Sequence, residues 1–154
     1  MTAILNNRIE VMHGVNLDQL GRRDPAHYGS LDLPALERQI GTWATETGLS
    51  VRFFQTNHEG DFVEHLHEVM NLADGIVLNP GAWTHYAWAI HDALELTRLP
   101  AVEVHLSAVN EREPWRQLSV ISDLCAATVS GKGPDGYREA LELLKKELAD
   151  EHTR

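Results

Sequence analysis

Gly75-Ile76-Val77-Leu78-Asn79, closed by Pro80-Gly81, is the stretch on which the fold turns. It is a short apolar run, rich in β-branched residues and bounded by turn formers, and it reads as a strand. Working outward, apolar residues recur at helical spacing on both sides, over residues 61–72 (Phe62, Leu66, Val69, Met70) and over residues 86–97. Strand-like runs lie beyond these at Arg8-Ile9-Glu10-Val11-Met12-His13, Val51-Arg52-Phe53-Phe54-Gln55, Ala101-Val102-Glu103-Val104-His105 and Cys125-Ala126-Ala127-Thr128-Val129. Further helices are expected over residues 34–47 (Leu36, Ile40, Trp43, Ala44) and 135–150. Ser30 or Asp32 can cap the first helix ahead of Pro34, Gly48 can close it, and Gly60-Asp61 offers an acceptor at the start of the next. Strands that alternate with helices predict an α/β fold: a five-stranded parallel sheet with helices on both faces. No repeat or low-complexity segment interrupts the pattern, so residues 1–154 are expected to form a single domain.

Ligands of open parallel sheets bind outside the carboxyl ends of the strands. Here every predicted strand runs into polar residues: His13-Gly14-Val15-Asn16, Thr56-Asn57-His58-Glu59-Gly60, Asn79-Pro80-Gly81, His105-Leu106-Ser107 and Ser130-Gly131. Five polar exits on one edge predict a site there.

Composition narrows what that site serves. With 13 Lys+Arg against 23 Asp+Glu, the formal net charge of −10 opposes binding to nucleic acid or anionic membranes, which require a basic face. No apolar run approaches the roughly 18 residues of a membrane span, and the first ten residues lack the layout of a signal peptide. The lone Cys125 cannot form an internal disulfide, which fits a reducing, cytoplasmic setting.

Several chemistries fall away on motif grounds. Neither a G-x-G-x-x-G nor a phosphate-loop pattern follows the first strand, and in Gly131-Lys132-Gly133-Pro134-Asp135-Gly136 the proline removes a donor, so this reads as a plain turn. His13-Gly14 and Asn79 stand where a response-regulator-like domain would need acids. In Glu64-His65-Leu66-His67-Glu68 the two histidines are two apart and do not share a helix face, so the segment reads as a solvated polar face rather than a metal site. Cys125 reads as a small buried hydrophobe, and no nucleophile elbow is present. The three lysines, Lys132, Lys145 and Lys146, all fall late in the chain, which argues against a Schiff-base mechanism.

What remains is an acid-base site drawn from Asn16, Tyr28, Asn79, His85, His105 and Ser107, with Arg23, Arg112 and Arg116 supplying positive charge. The segments that carry these residues are Gly14-Val15-Asn16-Leu17 with Leu20-Gly21-Arg22-Arg23-Asp24-Pro25 and Tyr28-Gly29, Gln55-Thr56-Asn57-His58-Glu59-Gly60, Asn79-Pro80-Gly81-Ala82 with Thr84-His85, Glu103-Val104-His105-Leu106-Ser107, and Arg112-Glu113-Pro114-Trp115-Arg116. In order and spacing, over nearly the whole chain, they resemble the type II 3-dehydroquinate dehydratases. The resemblance implies a flavodoxin-like fold, no metal or cofactor, a homo-oligomer of trimers packed as a dodecamer, and loss of water from 3-dehydroquinate to give 3-dehydroshikimate, in the shikimate pathway or in quinate breakdown.

Carried over by motif, Tyr28 would be the base that takes the proton beside the ketone, and Arg23 would favour its phenolate. A free phenol titrates near 10, and each unit of lowering represents about 1.4 kcal/mol of preferential phenolate stabilisation, which a nearby guanidinium can supply. Asn16, through an ordered water, would stabilise the enolate oxygen, and His105 would protonate the departing hydroxyl, with Glu103 on the same strand face fixing its tautomer. Asn79, His85, Arg116 and the backbone of Leu106 and Ser107 would hold the substrate carboxylate and hydroxyls, Arg112 would line the mouth, and Asp92 would reach a neighbouring subunit's site.

The chain departs from the family pattern at His13 and Val15 in the first motif, at Tyr86, Trp88 and His91 after Thr84-His85, and at Val120 and Asp123 later. Tyr86 and Trp88 are expected to pack near the pocket or an interface, and His91 in place of Arg alters the surroundings of Asp92. Two other readings stay open at this point: a diverged paralogue acting on another cyclic hydroxy acid, and a non-catalytic flavodoxin-like binding module. On any of them Lys145 and Lys146 are expected to complement the last helix and its acidic face.

Overall fold

The computed structural model describes residues 6–22, 24, 26 and 30–152. Strands β1 (Arg8–His13), β2 (Ser50–Gln55), β3 (Gly75–Asn79), β4 (Ala101–His105) and β5 (Ala127–Ser130) alternate with helices α1 (Leu33–Thr47), α2 (Glu59–Val69), α3 (Trp88–Thr97) and α4 (Asp135–His152). All strand pairs are parallel, in the order β2-β1-β3-β4-β5. This is the flavodoxin-like arrangement, and it reverses direction at β1, so a crevice opens between the ends of β1 and β3.

Alternation along the strands sends side chains to two cores. Ile9, Val11, Val77, Val102, Val104 and Val129 face α1 and α4, where they meet Leu36, Ile40, Trp43, Tyr137 and Leu141. Met12, Ile76, Leu78 and Ala101 face α2 and α3, against Phe62, Leu66, Val69, Ile90 and Leu94. Each fully buried Leu, Ile or Phe is worth roughly 1.5–3 kcal/mol relative to exposure, so the two layers supply the adhesion that the chain makes without an internal disulfide.

The caps of α1 explain its length. Asp32 accepts a hydrogen bond from the Ala35 amide, Pro34 occupies the first turn, and Gly48 ends the helix in the left-handed region at φ 79°. Other boundaries differ from the sequence reading. Helix α2 begins at Glu59 after His58, with no side-chain cap at its start, so Gly60-Asp61 lies inside its first turn, and it ends at Val69 rather than at 72. Residues 81–85 form a 3₁₀ turn that delays α3 to Trp88. Strand β5 begins two residues after Cys125, whose amide donates to Ser122 O at 3.2 Å and closes a 3₁₀ turn instead of entering the sheet.

Candidate active site

The crevice is built first from two chain segments that nearly touch. The Gly14 amide donates to Asn79 O at 2.8 Å, and a Cβ on Gly14 would stand 2.3 Å from Pro80 O, so only glycine lets the exits of β1 and β3 come together. Gly81 answers from the other side at φ 66°, where a Cβ would sit 2.8 Å from Val15 O. Asn16 then adopts the left-handed conformation at φ 68°, its amide donating to Asn57 Oδ1 at 2.8 Å. Gln55 donates to both Gly14 O and Asn57 Oδ1, and Asn57 donates to Asp18, so the exit of β2 serves as a brace for Asn16.

Strand β4 supplies the titratable pair. Glu103 has no exposed surface, and its Oε2 lies 2.5 Å from His105 Nε2. Thr84 donates to the same oxygen, and Ser119 donates to Oε1 at 2.7 Å. Burial is the strongest single influence on this carboxyl and pushes its pKa up, but the hydrogen bond and charge of His105, with Thr84 and Ser119, outweigh it and hold the pKa below the usual value. A buried carboxylate so satisfied accepts from Nε2–H and leaves His105 Nδ1 for other partners.

His85 faces the same space. Its Nδ1–H donates to Leu118 O at 2.6 Å, its ring lies 6.4 Å from that of His105, and its buried Nε2 has no partner among the described residues. Burial above all lowers its pKa, so the ring is neutral near pH 7 and Nε2 presents a lone pair. Beyond β4, Leu106 O accepts from the Gly133 amide and Ser107 O from Gly131, which ties this segment to the turn before α4 and gives that glycine-rich turn a structural use. At the mouth, Arg112 Nη1 donates to Ser107 Oγ at 3.3 Å, and Arg116 stacks on Trp115 with 4.0 Å between guanidinium carbon and ring centre.

These residues form one cleft open to solvent, lined by Val15, Asn16, Asn79, His85, His105, Leu106, Ser107, Arg112 and Arg116 among others. An acidic or hydroxylated small molecule would meet in it two guanidinium groups, two side-chain amides, a neutral imidazole and a second imidazole backed by carboxylate. That set can orient an anion and move a proton.

Not all of the expected residues gather there. Tyr28 and Arg23 lie outside the described residues. Asp92 does not line its own chain's cleft; it is 78% exposed on α3 and pairs with His91 Nδ1 at 3.0 Å, while His91 Nε2 lies 3.5 Å from Asp123. Of the five polar exits, those of β1, β3 and β4 line the cleft, whereas β2 braces from behind and Ser130 borders a neighbouring groove beneath His105. His13, the first residue of its exit, is wholly buried between Phe53 and Tyr137 because its side chain alternates into the α1/α4 core.

Other expectations need similar correction. Tyr86 and Trp88 are 58% and 60% exposed in this chain and do not line the cleft, so of the two expected places only an interface suits them. His65 is not part of a solvated face: it stacks on Phe54 and lies 3.1 Å from the buried Glu10, though Glu64, His67 and Glu68 are exposed. Lys145 does not serve its own helix alone, since it donates to Thr47 O at the end of α1. Burial pushes the Cys125 thiol up to about 12, as suits an inert thiol.

Sequence reasoning gave no role to Asn57, Thr84, Ser119 or Trp115, which hold the site residues in place. Thr84 and Ser119 are distant in sequence from Glu103, and only the buried carboxyl's need for donors could have pointed to them.

Comparison with known proteins yields concordant likenesses. The family model described as dehydroquinase class II matches residues 7–145. A 3-dehydroquinate dehydratase of Thermotoga maritima is 43% identical over 143 residues, covering 93% of this chain and 98% of the relative. The crystal structure of a type II dehydroquinase from Butyrivibrio crossotus superposes with a TM-score of 0.88 at 38% identity, covering 91% of this chain and 98% of that one. A type II dehydroquinase from Propionibacterium acnes gives a TM-score of 0.87 at 36% identity over 94% of this chain and 99% of its own.

Proposed function

The chain belongs to the class II dehydroquinase family, and on that premise we propose how its residues run the family's reaction, the dehydration of 3-dehydroquinate to 3-dehydroshikimate. The observation that carries the proposal is the His105–Glu103 pair, buried at the end of β4 and aimed at a cleft lined by Asn16, Asn79, His85, Arg112 and Arg116.

Tyr28, as a phenolate favoured by the charge of Arg23, takes the proton on the carbon next to the ketone, and the C–H electron pair becomes the enolate. Asn16, working through a water, supplies the hydrogen bonding that enolate oxygen needs. Collapse of the enolate expels the hydroxyl one carbon further on; His105 protonates it, it leaves as water, and a conjugated enone remains. Glu103 keeps the charged imidazole in place during that step, with Thr84 and Ser119 holding Glu103. Asn79, His85, Arg116 and the backbone of Leu106 and Ser107 fix the carboxylate and hydroxyls that do not react, and Arg112 lines the mouth.

Of the seven positions that depart from the usual family residues, Val15 alone lines the cleft, so the substrate pocket keeps its polar lining and the diverged-paralogue reading loses its support. The same proposal includes one domain over residues 1–154, a trimer-based dodecamer in which Asp92 contributes to a neighbouring site, and a cytoplasmic location suited to an acidic chain with one cysteine. Among the described residues, no helix is long and apolar enough to cross a membrane.

The test is direct. Metal-free protein given 3-dehydroquinate should produce the ultraviolet absorbance of the enone, and silence above background would overturn the assignment. Tyr28→Phe should lower kcat by at least about a hundredfold while substrate-analogue binding is retained; near-wild-type turnover would remove the phenolate from the mechanism.

A further inference from the structure

Arg112 and Arg116 bring two guanidinium groups to one mouth of the cleft, with side chains only 13% and 14% exposed. One carboxylate oxygen serves both. Glu113 Oε2 lies 2.5 Å from Arg116 Nε and 3.9 Å from Arg112 Nε. Glu113 itself is half exposed and does not line the cleft that both arginines line. It therefore approaches them from behind. On another side, Arg116 lies over the Trp115 ring at 4.0 Å, and that ring meets His85 edge to face at 5.3 Å.

We infer that Glu113 is a positioning residue for substrate binding: it holds Arg116 by Nε against Trp115 and offsets the charge of Arg112, so that the Nη groups of Arg116 are set in advance for the oxygen atoms of the anionic substrate. The inference rests on the function proposed above. An exposed ion pair contributes little to stability, but fixing a flexible arginine before the ligand arrives removes part of the ordering cost of binding. Arg116 serves oxygens that do not react, so the benefit falls on binding in ground and transition states alike. A carboxylate inside the cleft would instead compete with the substrate, and its removal would tighten binding; the placement of Glu113 outside the cleft separates the two cases.

Steady-state kinetics of the full chain with 3-dehydroquinate tests this. Glu113→Ala should raise KM about tenfold with kcat within about twofold of wild type, and Glu113→Gln, which keeps an oxygen for Nε, should raise KM about threefold. Glu111→Gln removes the same charge from an exposed neighbour and should leave KM unchanged. An unchanged or lower KM in Glu113→Ala overturns the inference, as does a fall in kcat without a rise in KM. An equal shift in Glu111→Gln overturns it as well, by assigning the effect to net charge. Wild-type protein without turnover would sink the functional reading separately; calorimetric binding of 3-dehydroquinate to wild type and Glu113→Ala then decides the positioning role by the same tenfold criterion.

Discussion

His13 is one of the positions at which the chain departs from the family pattern, and its surroundings are unusual for an imidazole. It has no exposed surface, both ring nitrogens lack hydrogen-bond partners among the described residues, and the nearest carboxylate, Glu37, stands 3.9 Å away. Burial lowers its pKa to about 4. The unfolded chain, with His13 near 6.5, therefore binds a proton that the folded chain refuses between about pH 4 and 6.5. Stability from this group is complete above pH 6.5 and is lost as pH falls toward 4, by as much as about 3 kcal/mol. His13→Asn should flatten that acid limb. Urea unfolding of both proteins at pH 7.5 and 4.5 measures it, and an identical pH dependence would show that His13 does not govern acid sensitivity.

Among the elements, the exits of β1 and β3 show what a sequence can and cannot reveal. Their strands were legible because apolar runs of β-branched residues end in His13-Gly14 and Asn79-Pro80-Gly81, and residues 75–79 match β3 without a shift. The close approach between them was not, since the 2.3 Å clash awaiting a Cβ on Gly14 depends on where the backbone of Pro80 lies across the sheet. Gly14→Ala should part the two exits, cost about 1–3 kcal/mol of stability and abolish most activity, because Asn16 and Asn79 move together. Matched denaturant midpoints for wild type and variant would refute the packing argument. The same distinction explains the other misreadings. Cys125-Ala126 has strand composition, but its amides are taken by a turn and by Ala101 O. His65 has the polarity of a surface residue, yet Glu10 on β1 needs a partner beneath α2. Local pattern identified elements and cleft residues; braces such as Asn57, Thr84 and Ser119 depend on contacts between distant segments, which no local pattern encodes.

At the scale of the whole molecule, a net charge of −10 repels an anionic substrate, while the cleft that must receive it is lined by Arg112 and Arg116. The two fields differ in range. Repulsion from dispersed surface carboxylates acts over the Debye length, about 30 Å at 0.01 M salt and about 10 Å at 0.1 M, whereas the arginines act at contact inside a partly buried cleft and are screened less. Adding salt between those limits should therefore raise kcat/KM for 3-dehydroquinate by about twofold to threefold before higher salt weakens the contacts themselves. The local cations should dominate the response to substitution. Arg116→Gln should reduce kcat/KM by about tenfold or more, and Lys146→Gln, on the exposed face of α4, should leave it within about twofold, although each removes one positive charge. Kinetics across the salt range for the three proteins checks both statements. A monotonic fall of the wild-type rate from the lowest salt would mean that the cleft's own field, rather than the net charge, governs approach, and equal losses in the two variants would mean that position counts for nothing.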